Sequence, residues 1–129
     1  MKQAIPYLMF SGNCREALYF YANCLNGEIT QLQTVGDSPM QVPPEHHSRI
    51  FDSEFRADGV RFKASDDSPM QPAAVGTNFA LFITFSDPVQ QKQAFERLSA
   101  GGQIQFPLEN GFGMLVDKFH IQWMLASEN

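Results

Sequence analysis

Residues 85–104 read FSDPVQQKQAFERLSAGGQI, and residues 10–29 read FSGNCREALYFYANCLNGEI. The two stretches align without a gap at an offset of 75 residues, with Phe, Ser and Gly recurring at matching places. In each stretch a helix-like pattern follows an apolar segment and ends at glycine, which is typical of a strand–helix–strand unit. Such a match within a chain of 129 residues indicates an internal duplication.

The starts of both helices carry capping signals. Asn13 is predicted to cap the first helix, with Glu16 as the capping-box partner three residues later. Asp87 is predicted to cap the second helix, with Pro88 at its first position and Gln90 as the capping-box partner. Two helices that begin at matching points support the duplication.

The end of each repeat reads as a β-hairpin. In residues 49–66 two apolar-alternating runs flank Asp58-Gly59, which is a strong turn signal. In residues 113–127 the turn is predicted around 118–120, where His120 tolerates the left-handed conformation better than most residues. Each repeat is therefore predicted to be one strand, one helix and three further strands.

The duplication predicts the fold class and the organisation of the chain. We expect a single α+β domain over residues 1–129, with repeat one at about 1–66, a linker at 67–77 and repeat two at about 78–129. Neither half can bury its sheet and helix alone. The two βαβββ repeats are therefore expected to form a curved eight-stranded sheet around a cavity, with the helices outside.

Composition and charge restrict the partners and the compartment. The net charge of −5 disfavours nucleic acid, whose phosphates bind basic surfaces. No apolar run approaches the ~20 residues that cross a bilayer, so no membrane partner is expected. Cys14 and Cys24 fall in one predicted helix, about 15 Å apart by helix rise, which is too far for a disulfide. Free thiols fit the reducing cytoplasm.

Several stretches resemble the PhnB-like, or demethylubiquinone methyltransferase-like, branch of the vicinal oxygen chelate superfamily, which includes glyoxalase, bleomycin resistance proteins and extradiol dioxygenases. They are PYLMF (6–10), GNCREALYFYANCLNGEI (12–29), FRADGVRFKASD (55–66), GGQIQFPL (101–108) and FGMLVDKFHIQWML (112–125). The resemblance implies the βαβββ duplication, a homodimer, and a divalent metal bound by His, Glu or Gln on strands of both repeats.

The positions that would bind this metal carry other residues. The first strand offers Tyr7 and its neighbours, and the matching strand of the second repeat offers at most Asn78. Asp52 stands where PhnB-like relatives typically show His, and Met124 where metal enzymes carry Glu. No cofactor is therefore expected, and a divalent metal is kept only as an alternative.

Inward-pointing polar residues are the remaining candidates for a ligand site. Asp52 and Glu54 alternate with Phe51, Ser53 and Phe55, so both carboxylates share one face of a strand. If that face lines the cavity, they are expected to bind a cationic or hydroxylated ligand. If it is an outer or dimer face, they are solvated or paired with arginine, for which the candidates are Arg49, Arg56 and Arg61.

Three aromatic residues complete the candidate set. Tyr7 lies on the first strand, while Phe112 and Trp123 either wall the cavity or fill the core. Asp66 and Asp67 end a strand at a turn, where a capping role is expected.

These observations predict binding of a small molecule in a Phe-rich cavity, without a catalytic metal, by a cytoplasmic homodimer. One alternative is a metal-dependent lyase, isomerase or dioxygenase of the vicinal oxygen chelate type with an atypical ligand set. Another is a structural or regulatory dimer whose cavity is filled by side chains. For methyl transfer, the lone glycine pair Gly111 and Gly113 leads into a strand and lacks the nucleotide-binding fingerprint.

Overall fold

The computed structural model describes residues 2–68 and 71–128, and each sequence repeat lies in its own compact unit. The first unit spans residues 1–74 and the second residues 75–129. Each contains one α-helix and one four-stranded sheet. Among the described residues, no helix combines the length and apolar character that crossing a membrane requires.

The first unit has the sheet order β1-β4-β3-β2, in which β1 and β4 are parallel and the other pairs antiparallel. Its elements are β1 (Tyr7–Phe10), α1 (Cys14–Leu25), β2 (Glu28–Thr34), β3 (Ile50–Ala57) and β4 (Val60–Asp66). The segment that joins β2 to β3 contains two short 3-10 helices, Val35–Asp37 and Pro44–His46.

The second unit repeats this topology as β5-β8-β7-β6, again with one parallel pair, β5 and β8. Its elements are β5 (Leu81–Phe85), α2 (Pro88–Ser99), β6 (Gln103–Glu109), β7 (Phe112–Val116) and β8 (Gln122–Ser127). The predicted α+β fold with two βαβββ repeats is confirmed. The eight strands pair as two four-stranded sheets, neither of which is closed.

The core of the first unit is a set of aromatic rings between α1 and the sheet. Phe55 on β3 stacks on Phe62 on β4, with ring centroids 4.7 Å apart. Tyr21 on α1 meets Phe62 edge-on at 5.7 Å. All three side chains are almost completely buried. The face of the sheet that carries Phe55 and Phe62 is therefore the face that α1 covers.

The two helices begin in different ways. As predicted, the side chain of Asp87 accepts a hydrogen bond from the backbone N–H of Val89, and Pro88 opens α2. The prediction for α1 was wrong, because the side chain of Asn13 makes no capping hydrogen bond. Oδ1 of Asp66 instead accepts from the backbone N–H groups of Gly12 and Cys14, both at 2.9 Å.

This replacement follows from strand pairing. In the parallel register of β1 and β4, Asp66 lies opposite Phe10, the last residue before the turn into α1. Oδ2 of Asp66 also accepts a hydrogen bond from the backbone N–H of Ile50 at 2.8 Å. The capping role expected of Asp66 is thus present, but its target is a distant helix rather than the adjoining turn.

The predicted turns are confirmed. Asp58 adopts a positive φ of 53°, and Ala57 pairs directly with Val60 across a two-residue turn. His120 also adopts a positive φ, 70°, in the turn between β7 and β8. As predicted, Cys14 and Cys24, which are both buried, form no disulfide with each other.

The core of the second unit is organised around Trp123, which is fully buried. Its indole N–H donates to Oδ2 of Asp117 at 2.8 Å, and Oδ1 of Asp117 accepts from the backbone N–H of Phe119 at 2.7 Å. Gly113 lies directly beneath α2, where an added Cβ would approach the ring of Phe95 to 2.6 Å. Trp123 and Gly113 therefore belong to neighbouring positions on the helix-covered side of this sheet.

Candidate functional site

Each sheet has one face covered by its own helix and one opposite face that this helix leaves uncovered, here called the open face. On β3, Phe55 points to α1, so Asp52 and Glu54 point to the open face of the first repeat. On β1, Leu8 is buried whereas Tyr7 is 41% exposed. The face shared by the two candidate carboxylates is therefore the one that also carries Tyr7.

Tyr7, Asp52 and Lys63 form a hydrogen-bonded group on this face, the Tyr7 cluster. The phenol of Tyr7 donates to Oδ1 of Asp52 at 3.0 Å, and Nζ of Lys63 donates to Oδ2 of Asp52 at 2.8 Å. Tyr7 and Lys63 are direct partners across β1 and β4, and the ammonium lies 5.9 Å from the centre of the tyrosine ring. Strand pairing thus fixes the positions of the three groups.

The electrostatics of the Tyr7 cluster keep each group in its ordinary charge state near neutral pH. Burial raises the pKa of the Tyr7 phenol above its usual value. Burial of Asp52 acts in the same direction, but hydrogen bonds from Lys63 and Tyr7 outweigh it and lower the pKa of that carboxyl. The hydrogen bond to Asp52 raises the pKa of Lys63. Near neutral pH the cluster is therefore a neutral phenol beside an ion pair.

Glu54 forms a second group on the same face, the Glu54 cluster, with Thr30, Arg56 and Arg61. The Thr30 hydroxyl donates to Oε2 of Glu54 at 2.7 Å, while Nε of Arg61 donates to Oε1 at 2.7 Å and Nε of Arg56 to Oε2 at 3.2 Å. These hydrogen bonds, that of Thr30 first, lower the pKa of Glu54 to about 2. The pairing with Arg56 and Arg61 considered from the sequence is thus present, whereas Arg49 pairs with Asp67 instead.

The open face of the second repeat has the opposite chemistry. A row of direct partners crosses its four strands, formed by Phe82 on β5, Met124 on β8, Met114 on β7 and Phe106 on β6. Phe82 and Phe106 are each 58% exposed. The equivalent row of the first repeat is polar and consists of Tyr7, Lys63, Glu54 and Gln31.

Two candidate aromatic residues fall on different sides of the second sheet. Phe112 is half-buried on the open face, where it pairs with Ala126. Trp123 points to the helix-covered side, between Gln122 and Met124 in the strand, and is hydrogen-bonded to Asp117. Of the two, only Phe112 lies where a ligand on the open face could touch it.

The side chains at the positions where the family resemblance implies metal ligands do not suit a divalent cation. Tyr7 is hydrogen-bonded to Asp52, and Phe82, its equivalent in the second repeat, has no donor atom. Met124 offers only a thioether, and Asn78 precedes β5. The two carboxylates already bind cationic side chains. Within the part of the chain that the structure describes, no three His, Cys, Asp or Glu side chains are grouped as a metal site would need.

Sequence reasoning missed Lys63, although a signal for it existed. On β4, Arg61, Lys63 and Ser65 alternate with Phe62 and Ala64. Once Phe62 is assigned to the core, Lys63 must face the other side of the sheet. The period-two pattern that grouped Asp52 with Glu54 would therefore have supplied their cationic partners too.

Comparisons with known proteins agree with the fold. The family model described as 3-demethylubiquinone-9 3-methyltransferase matches residues 2–126. Protein YjdN of Escherichia coli K12 is 28% identical over 138 residues, which cover 93% of this chain and 91% of YjdN. The crystal structure of PA1353 from Pseudomonas aeruginosa is 29% identical and has a TM-score of 0.88. The match covers 99% of this chain and 98% of the PA1353 chain. A PhnB protein from Bacillus cereus is 21% identical and has a TM-score of 0.75, and the match covers 98% of this chain and 99% of the PhnB chain.

Proposed function

The chain belongs to the 3-demethylubiquinone-9 3-methyltransferase family, and from this premise we propose that it is a PhnB-like member of the vicinal oxygen chelate superfamily that binds a small organic molecule without a catalytic metal. The observation that carries the proposal is the Tyr7 cluster, a set of partly exposed polar groups fixed by strand pairing at the superfamily's first-strand position. Fold alone does not assign function, and the three side chains of this cluster are the specific groups that a ligand would contact.

The Tyr7 cluster suits a hydroxylated or carbonyl-bearing ligand. Lys63 has three N–H donors and uses one of them on Asp52, which leaves donors for a ligand oxygen. Asp52 can accept from a ligand hydroxyl, and the exposed ring of Tyr7 offers an apolar surface beside it. The ion pair with Lys63 neutralises Asp52, so the cluster does not favour the cationic ligand considered from the sequence.

Binding is better supported than acid–base catalysis. An efficient general acid or base has a pKa near the working pH. Here the pKa values of Asp52 and Glu54 are lowered, and those of Tyr7 and Lys63 are raised. All four shifts move the groups away from neutrality. Gly111 lies in the β6–β7 turn and Gly113 lies in β7, so the pair connects two strands and does not follow the strand-to-helix pattern of a nucleotide loop.

The absence of a metal is part of the proposal and has its own test. The purified protein is assayed for bound metals and then heated with added Ni²⁺, Mn²⁺ or Zn²⁺. We expect no stoichiometric ion and no stabilisation beyond that of a salt control. A metal at one hundred times its dissociation constant would add ~2.7 kcal/mol to the free energy of unfolding. Such a shift would favour the alternative of a metal-dependent lyase, isomerase or dioxygenase.

Ligand binding is tested by screening small polar metabolites for thermal stabilisation of the protein, followed by titration of the best ones. Lys63→Met and Tyr7→Phe are expected to weaken binding, because each removes a polar group from the cluster. Lys92→Met, on the exposed surface of α2, changes the net charge equally and serves as the control. Equal affinity in the Lys63 and Lys92 variants would refute the assignment of the Tyr7 cluster.

The Phe-rich part of the predicted site corresponds to the open face of the second repeat, considered by itself. Phe82, Phe106 and Phe112 are candidates for contact with the apolar part of a ligand.

We also propose that the protein is a cytoplasmic homodimer. Cys14 and Cys24 form no disulfide, which suits a reducing compartment. The edge strands β1, β2, β5 and β6 of the two sheets need cover. Light scattering of the eluted protein measures the oligomeric state directly.

A further inference from the structure

Arg56 and Arg61 are held side by side by a single carboxylate. They are direct partners in the antiparallel register of β3 and β4, a position where two like charges would repel. Glu54 lies between them and accepts a hydrogen bond from Nε of each. Glu54 is 6% exposed, so the carboxylate that holds the two arginines is buried while their guanidinium groups extend outward.

The outward edges of the two guanidinium groups retain hydrogen-bond donors. Nη1 of Arg61 donates to Oε1 of Gln3 at 3.0 Å. Within residues 2–68 and 71–128, neither Nη2 of Arg61 nor the two Nη groups of Arg56 have a protein partner. The side chains are 33% and 51% exposed, respectively, so these donors are accessible.

We propose that Arg56 and Arg61 bind an oxyanion, either a carboxylate or a phosphate-type group, carried by the ligand. Guanidinium groups present paired N–H donors whose spacing matches the oxygens of such groups. Glu54 removes the repulsion between the arginines and fixes their Nε edges, so the remaining donors are already positioned before binding. The inference rests on the proposed binding function and adds the chemical class of the ligand.

Nearby carboxylates set the strength of this site. Glu28 on β2 is the direct strand partner of Arg56, yet within the described residues it forms no ion pair with it. Asp58 lies in the adjoining turn and is exposed. Both reduce the positive potential around the arginines, so a small free anion should bind weakly. Removing the charge of Glu28 should strengthen the binding.

The test uses inorganic phosphate and acetate as probes, with chloride at matched ionic strength as the reference. The Nε–H signals of Arg56 and Arg61 are followed by ¹⁵N–¹H NMR during titration of the whole chain. We expect saturable shifts with at least one of the two oxyanions. A response to phosphate alone indicates a three-oxygen group, and a response to both indicates a general oxyanion site. Shifts no larger than those with chloride would overturn the inference.

Variants separate the arginine fork from net charge. Arg61→Lys keeps a cation beside Glu54, so the fold is retained, but it lacks the planar donors, and we expect about tenfold weaker binding. Arg15→Lys on α1 is the matched control and should leave the affinity unchanged. Glu28→Gln should increase the affinity. Unchanged phosphate and acetate binding in Arg61→Lys refutes the inference. Small-molecule binding that is unaffected by Lys63→Met and Tyr7→Phe refutes the proposed function instead, so the two failures are distinguishable.

Discussion

Replacing Asp66 with alanine is expected to destabilise the protein by about 1.5–5 kcal/mol. Its carboxylate accepts hydrogen bonds from three backbone N–H groups, those of Gly12, Cys14 and Ile50. Loss of a helix N-cap costs ~0.5–2 kcal/mol. Ile50 is 1% exposed, and leaving its buried N–H without a partner costs a further ~1–3 kcal/mol.

Urea denaturation followed by far-ultraviolet circular dichroism measures this loss. With a denaturant dependence of ~2 kcal/mol per molar urea, the midpoint should fall by about 0.7–2.5 M. Asn13→Ala is the matched control. Asn13 stands at the N-cap position but makes no capping hydrogen bond, so its removal should change the free energy of unfolding by less than ~0.5 kcal/mol. A loss in Asn13→Ala as large as that in Asp66→Ala would refute the assignment of the cap.

Three further outcomes are expected from buried groups. The pKa of Glu54 is lowered from 4.5 to about 2, so its contribution to stability is present above pH 4.5 and is lost as the pH falls towards 2; in Glu54→Gln, the urea midpoint should fall less steeply over that range. Burial raises the pKa of the Cys14 thiol to about 12, so this cysteine should react with a colorimetric disulfide reagent only after unfolding. Gly113→Ala should cost ~1–3 kcal/mol by thermal denaturation, because the new Cβ meets Phe95, whereas Gly59→Ala has no neighbour within 4 Å and should be nearly neutral.

The topology was predictable because local signals agree with one another along both repeats. The gapless match of residues 10–29 with 85–104 identified two equivalent halves before any contact was known. Asp87 and Pro88 predicted the start of α2, and Asp58 predicted the β3–β4 turn. Each of these residues determines the backbone conformation only at its own position or within a few residues of it. Signals of this range can be read from a single sequence.

The start of α1 could not be predicted in the same way. Asn13 and Glu16 have the spacing of a capping box, but the hydrogen-bond acceptor comes from Asp66, more than fifty residues away. Only the parallel register between β1 and β4 brings that carboxylate to the helix. A contact created by strand pairing has no local signature in the sequence.

The site was predicted in part for a related reason. Alternation placed Asp52 and Glu54 on one face of β3, but it left open which face the helix covers. The stacking of Phe55 on Phe62 under α1 decides this question, and it requires knowledge of the β3–β4 register. Trp123 was ambiguous because a large aromatic residue suits both a core and a ligand surface, and its hydrogen bond to Asp117 is the feature that accounts for its buried position.

The equivalent rows of the two open faces show that this layer tolerates very different side chains on one backbone topology. Lys63 and Met124 occupy the same place in their sheets, as do Glu54 and Met114. In both repeats the helix-facing layer of the sheet forms the core, whereas the side chains of the open face differ between the repeats. Substituting residues on the open face of one repeat, for example by introducing the charges of the first repeat into the second, would be a way to alter what the protein recognises without changing its core.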